Sequence, residues 1–218
     1  IRILFMLPLI FIYCDAPFID KNQIYILMRC KRKLWSIGQI IYIFMTSAIY
    51  FSLIAAMTIV LNIRNIEYMN DWGKVLGTLA FSNVPLVKGT AVTISTYILT
   101  YFTPAQAMFF TWLSSVLCGG ILGLIIYGCN VISKSKVVGI AASGFLVILS
   151  AAVSGNEMAQ WFSPVSWTTL NKLDVGKLTQ YPTFTYVMVV YMTAIIILSV
   201  WIIKVIEKKD VGVMIREV

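Results

Sequence analysis

Pro104-Ala-Gln-Ala-Met-Phe-Phe-Thr-Trp-Leu-Ser-Ser-Val-Leu-Cys-Gly-Gly-Ile-Leu-Gly-Leu-Ile-Ile-Tyr-Gly128 carries no charge in 25 residues. About 20 apolar residues suffice to take a helix through the hydrocarbon core of a bilayer. A chain in lipid must satisfy its own backbone polar groups, so a run of this length reads as a transmembrane helix. Within it Gly119 and Gly123 stand four residues apart, a spacing that lets a second helix approach closely, and both are helix-packing candidates. Gly120, Gly128, Gly139 and Gly144 add further small surfaces. The motif is common in apolar sequence and leaves open whether the packing is within this chain or against a twin.

Working outward, the same run extends to 45 uncharged residues between Lys88 and Lys134. Others hold 30 residues between Lys33 and Arg64, 20 between Lys136 and Glu157, and 26 between Lys177 and Lys204. Hydrophobic residues make up 60% of the 218 and charged residues 12%, roughly half the charged share of a soluble domain. The mean hydropathy is +0.88. The sequence therefore predicts an all-α, polytopic membrane helix bundle, one transmembrane domain over 1–218. Its five spans are expected at about 1–19, 38–61, 104–128, 137–154 and 184–203. The first stretch lacks the basic region and cleavage site of a signal peptide and reads as the end of a membrane helix. The chain opens inside that stretch without an initiator Met, so a further helix is expected before Ile1.

The uncharged residues 89–133 are too many for one crossing and few for two plus a turn. With Pro85 to Phe102 placed at the interface, eleven Lys and Arg fall on the side of the Lys21–Lys33 loop and five on the other. A second crossing would make the split seven against nine. The positive-inside rule favours eleven against five, with extracytoplasmic loops at 62–103 and 155–183 and a cytoplasmic C-terminus. Trp72, Trp161, Trp167, Tyr68 and Tyr181 lie near span ends, where amphipathic rings serve as interfacial anchors.

Several chemistries are excluded or disfavoured. The net charge of +8 comes from cations at the ends of apolar runs, which sets orientation in a membrane and does not call for nucleic acid. No GxxxxGK[ST], GxSxG or HExxH stretch occurs, and there is no histidine. Cys14, Cys30, Cys118 and Cys129 show no CxxC spacing, which supports neither a disulfide framework nor a zinc site. Ion-coupled carriers keep ionisable residues inside the membrane, and the last four spans contain none. Asp15 is the sole acid in an apolar stretch, readable as an interfacial residue or as a coupling residue.

Between Lys21 and Trp35 the apolar Ile24, Leu27, Met28 and Leu34 alternate with Lys21, Arg29, Lys31, Arg32 and Lys33. This is an amphipathic helix at a headgroup surface or a plain basic loop. The order of parts is Leu7-Pro-Leu-Ile-Phe-Ile-Tyr-Cys-Asp15, then Tyr25-Ile-Leu-Met-Arg-Cys-Lys-Arg-Lys-Leu-Trp35, then a span with Ser47, Ala48, Ser52, Ala55 and Ala56. The second half adds the basic turn Ser133-Lys-Ser-Lys136, the loop motif Trp161-Phe-Ser-Pro164 and the ending Glu207-Lys-Lys-Asp-Val211. This layout resembles the permease subunits of type-2 ABC exporters.

The resemblance implies six helices and a pair of permease subunits, alike or different, joined to two ATPase subunits at the cytoplasmic face. ATP and Mg would sit on those partners, with no cofactor on this chain, which is not itself an enzyme. Residues 21–35 fall where the family places its motor-contacting helix, making Tyr25, Leu27, Met28, Arg29 and Leu34 motor-coupling candidates. The expected cargo is a peptide or other amphipathic compound, and the expected home is a bacterial plasma membrane with lipid as the other partner. The competing readings are a non-transporting membrane partner or immunity-type protein, an ion-coupled carrier or channel and, last, a membrane enzyme.

Overall fold

The computed structural model describes residues 2–18, 30–65, 71–73, 96–133, 135–156, 158–174 and 180–208. Among these residues every regular element is helical: α1 (Arg2–Tyr13), α2 (Arg32–Asn62), α3 (Thr96–Tyr101), α4 (Pro104–Ser133), α5 (Lys136–Ala152) and α6 (Phe184–Lys208). Short 3-10 turns follow α2 and fill much of the connection from α5 to α6.

Local chemistry sets several of the helix ends. Pro104 opens α4 at the position where a missing N–H costs nothing. Immediately before it, the Thr103 amide donates to Gln106 Oε1 (3.1 Å) and the Gln106 amide donates to Thr103 Oγ1 (3.4 Å), a reciprocal capping box. At the other end of α4 the Ser133 hydroxyl donates to the Cys129 carbonyl (2.8 Å), and Ser135 then begins the turn into α5. Helix α2 begins at Arg32, six residues ahead of the expected span start at Gly38, so Leu34 and Trp35 belong to its first turn. Lys and Arg are good helix formers whose heads reach water from a helix end, so the cations do not break the helix.

Helix α4 is the centre of the bundle, packed against α1, α2, α5 and α6. Within its most apolar window 56% of residues are buried inside the chain, against 17% in α2 and in α6. Lipid is as apolar as leucine, so helices in a bilayer are held by close packing and interhelical hydrogen bonds. Both occur here. A Cβ on Gly119 would lie 2.5 Å from Ser47 Oγ and 2.7 Å from Leu9 Cδ2. On Gly123 it would lie 2.5 Å from Ile43 Cγ2 and 2.9 Å from Tyr13 Cε2. The glycine face of α4 thus receives α1 and α2 of the same chain. Ser47 donates to the Val116 carbonyl (2.9 Å), and Tyr13 donates to the Ile43 carbonyl (2.8 Å).

Three helices, α2, α4 and α6, are long and apolar enough to cross a membrane, and α1 and α5 are shorter apolar helices. The outward surface is apolar too, with Met45, Ile49, Leu53, Phe145, Ile148, Ile196 and Ile197 exposed. Long apolar helices presenting such a surface are what a membrane helix bundle requires.

The bundle has two chemically distinct ends. Lys136 Nζ lies 2.7 Å from Asp15 Oδ1, and Lys33 Nζ lies 3.9 Å from Glu207 Oε1. These pairs gather the end of α1, the starts of α2 and α5 and the end of α6 at one end. At the other, Thr58 of α2 and Pro104 of α4 line a common cleft, so α2 ends and α4 begins on the same side of the bundle.

The glycine contacts yield a stability test. Gly119→Ala and Gly123→Ala are each expected to destabilise the protein by about 1–3 kcal/mol through overpacking. Gly144→Ala meets nothing within 4 Å and should be neutral or slightly stabilising. Thermal unfolding of the three variants in one mild detergent checks the contrast, and equal melting temperatures would refute it.

Candidate functional site

Away from the ion-paired end, α1, α2 and α4 part to form a cleft of about 620 Å³, with the 3-10 turns Pro164–Thr168 and Leu170–Lys172 along its side. Phe5 and Met6 come from α1, Phe51 and Ile54 from α2, and Met108 and Trp112 from α4. The volume is in the range of small-molecule sites.

Most of the polar groups around the cleft donate within the protein. Thr58 Oγ1 donates to the Ile54 carbonyl (2.9 Å), Thr111 Oγ1 to Ala107 (2.7 Å) and Ser115 Oγ to Thr111 (2.7 Å). Trp112 Nε1 donates to Ser52 Oγ (3.1 Å) and Trp72 Nε1 to the Phe102 carbonyl (2.6 Å). With these donors satisfied the walls offer apolar and aromatic contact, suited to the hydrophobic part of an amphipathic molecule. Among the described residues no group of three Cys, Asp or Glu could hold a metal ion.

A compact cap adjoins the cleft. Trp167 Nε1 donates to the Gln160 carbonyl (2.7 Å), Tyr191 donates to the Pro164 carbonyl (2.7 Å), and the Trp167 ring packs on Tyr186 and Tyr191. Trp167 is buried in this cap and is therefore not an exposed interfacial anchor. Trp161 bonds the Gln180 carbonyl (2.8 Å), tying the cap to the approach of α6.

The opposite end is basic: Lys31, Arg32, Lys33, Lys136, Lys204 and Lys208 gather there, where α2 and α5 start and α6 ends. Of the motor-coupling candidates, Leu34 lies in the first turn of α2 with 61% of its surface exposed. Tyr25, Leu27, Met28 and Arg29 lie outside the described residues. Gly119 and Gly123 are buried in the bundle, below the cleft and against α1 and α2.

Sequence reasoning missed Asn130. This lone amide near the end of α4 donates from Nδ2 to the carbonyls of Cys14 (3.0 Å) and Ala16 (2.7 Å), fastening the turn that follows α1. An Asn inside an apolar run was the available signal, since such a group needs a partner in lipid. The cleft residues carried no comparable mark.

Asp15 sits on the same turn. The Lys136 ammonium, through its hydrogen bond and then its charge, holds the Asp15 carboxyl below the usual carboxylate range. A depressed carboxyl pKa means the pair contributes fully above the ordinary aspartate value and is lost as pH falls through the lowered one. The two side chains are 68% and 65% exposed, so screening limits the pair to about 0.2–1 kcal/mol. Asp15→Asn should lower the melting temperature slightly at neutral pH and low salt. That difference should vanish in acid and in high salt, as thermal unfolding across pH would show.

Compared with protein-family models, curated proteins and solved structures, the chain matches none of them.

Proposed function

We propose that this chain is the membrane-spanning permease subunit of an ATP-driven exporter of the ABC type, working with ATPase subunits on separate polypeptides. The observation that carries the reading is the course of α2. One unbroken helix of 31 residues begins in the basic cluster at Arg32 and reaches the cleft with Phe51, Ile54, Ala55 and Thr58. A helix is a stiff element, so displacement at its basic end is delivered to the cleft wall as tilt.

The remaining features are consistent with this arrangement. The basic end faces the cytoplasm under the positive-inside rule, which puts the C-terminus on the same side in a bacterial plasma membrane. The motor-contacting segment, with Tyr25, Leu27, Met28 and Arg29, leads into Leu34 and α2. The absence of a P-loop in this sequence assigns ATP and Mg to the partner subunits. A second permease copy, the same or different, completes the complex. The apolar cleft suits an amphipathic cargo such as a peptide.

Purification of the tagged full-length protein from its own cells in mild detergent tests the proposal. A P-loop ATPase should copurify in stoichiometric amount, and Arg29→Glu or Leu27→Asp should reduce its attachment or its hydrolysis. Recovery of the intact chain alone, under conditions that keep a known ABC complex together, would refute the reading.

A further inference from the structure

The last two turns of α6 carry an interfacial pattern. Trp201, Lys204 and Lys208 follow one another at i, i+3 and i+7, which sets them on one face of the helix. That face turns out of the bundle. Trp201 is 42% exposed, both lysines are exposed, and so are Ile197 and Val200, one turn nearer the middle of the helix. Ile202 and Ile206 mark the opposite, buried face.

Two independent observations show groups on this face that the protein leaves without a partner. The first is an indole. Trp72, Trp112, Trp161 and Trp167 each donate their N–H within the protein, and Trp35 is buried. The Trp201 N–H has no acceptor among the described residues. Its ring is held in place across Gly128 of α4, where an added Cβ would lie 2.6 Å from Trp201 Cζ3. An aromatic body seated on an apolar seam with an unused N–H suits the membrane interface.

The second is charge. Glu207 is the one acid of α6, and it lies 3.9 Å from Lys33 of α2. Lys204 and Lys208 form no ion pair among the described residues. Residues at i and i+4 have Cβ atoms about 5–6 Å apart, and like charges at that spacing repel, a cost that an anion between them removes. The helical rise sets Trp201 about 4.5 Å further along the axis than Lys204. From the helix end inward the order is therefore two ammonium groups, an indole N–H and an apolar stripe. A glycerophospholipid presents phosphate, ester carbonyls and acyl chains in the same order.

We infer that Trp201, Lys204 and Lys208 form a binding site for the headgroup of an anionic glycerophospholipid of the surrounding bilayer. The lysines hold the phosphate, the indole donates to an ester carbonyl, and the acyl chains lie along Val200 and Ile197. A zwitterionic headgroup brings its own cation toward the lysines and is the weaker occupant. The site needs no ATPase partner.

The experiment uses the full chain reconstituted into vesicles of phosphatidylcholine and phosphatidylglycerol, one or the other brominated on its acyl chains. Bromine quenches tryptophan fluorescence at short range, and the difference between the parent and Trp201→Phe isolates the signal of Trp201. Phosphatidylglycerol should be preferred there by about 30-fold, the effect of two lysines at a membrane surface. Lys204→Gln with Lys208→Gln should bring the preference close to parity, and Arg at both positions should keep it. Lys136→Gln removes another exposed cation at the same end and should leave the preference unchanged, since charges are screened beyond about 8 Å at physiological salt.

Equal quenching by the two lipids in the parent overturns the proposal. An equal loss in Lys136→Gln also overturns it, because the preference would then belong to the field of the whole basic end. Excess inorganic phosphate should leave the quenching unchanged, and displacement of the lipid by it would overturn the lipid assignment in favour of a plain anion site. If Trp201→Phe does not fold, native mass spectrometry decides. The parent should retain more phosphatidylglycerol molecules than the double Gln variant, and equal numbers overturn the proposal.

Discussion

The close approach of α1 and α2 to the glycine face of α4 is the contact on which the rest of the structure depends. Apolar surface gains nothing by leaving lipid for another helix, so cohesion has to come from dispersion and from polar groups that find partners. Gly119 and Gly123 leave the space that Leu9, Tyr13, Ile43 and Ser47 occupy. Only at that separation can Ser47 reach the Val116 carbonyl. The same geometry opens the cleft, because toward the start of α4 the glycines give way to Ala107, Met108, Thr111 and Trp112, whose side chains hold the helices apart while Trp112 reaches across to Ser52 of α2.

Several polar side chains along the seams join two elements. Tyr13 joins α1 to α2, Ser47 joins α2 to α4, and Tyr127 approaches Ser36 at 3.4 Å nearer the basic end. Tyr191 and Trp167 do the same for the cap. Hydroxyl and indole groups suit this work, since each carries an apolar body with a polar tip and can bond a carbonyl already engaged in its own helix.

Helical character was legible because charge and apolarity are coarse signals that local structure cannot disguise. The uncharged runs mark α2, α4, α5 and α6, and the small-residue spacing at Gly119 and Gly123 lies on a buried face. The start of α2 was less legible, since Arg32 and Lys33 are at home both in a helix and in water. The cap was not legible: its 3-10 turns between Val153 and Lys172 are too short to show a period, and Trp167 is as compatible with an interface as with burial. Contacts such as Asn130 with Cys14 and Ala16, 116 and 114 residues apart, depend on tertiary placement that no local pattern records. The cleft was hidden for the same reason, being a space between three helices and not a property of any one.

Unequal helix lengths have a consequence for the surrounding bilayer. At 1.5 Å per residue, the 31 residues of α2 span about 46 Å and the 17 of α5 about 25 Å, against a hydrocarbon core of about 30 Å. The long helices exceed that core and must lean or protrude from it, while α5 is too short to cross it upright by itself. The bundle therefore has a long flank and a short one. A bilayer of changed thickness would load those two flanks unequally.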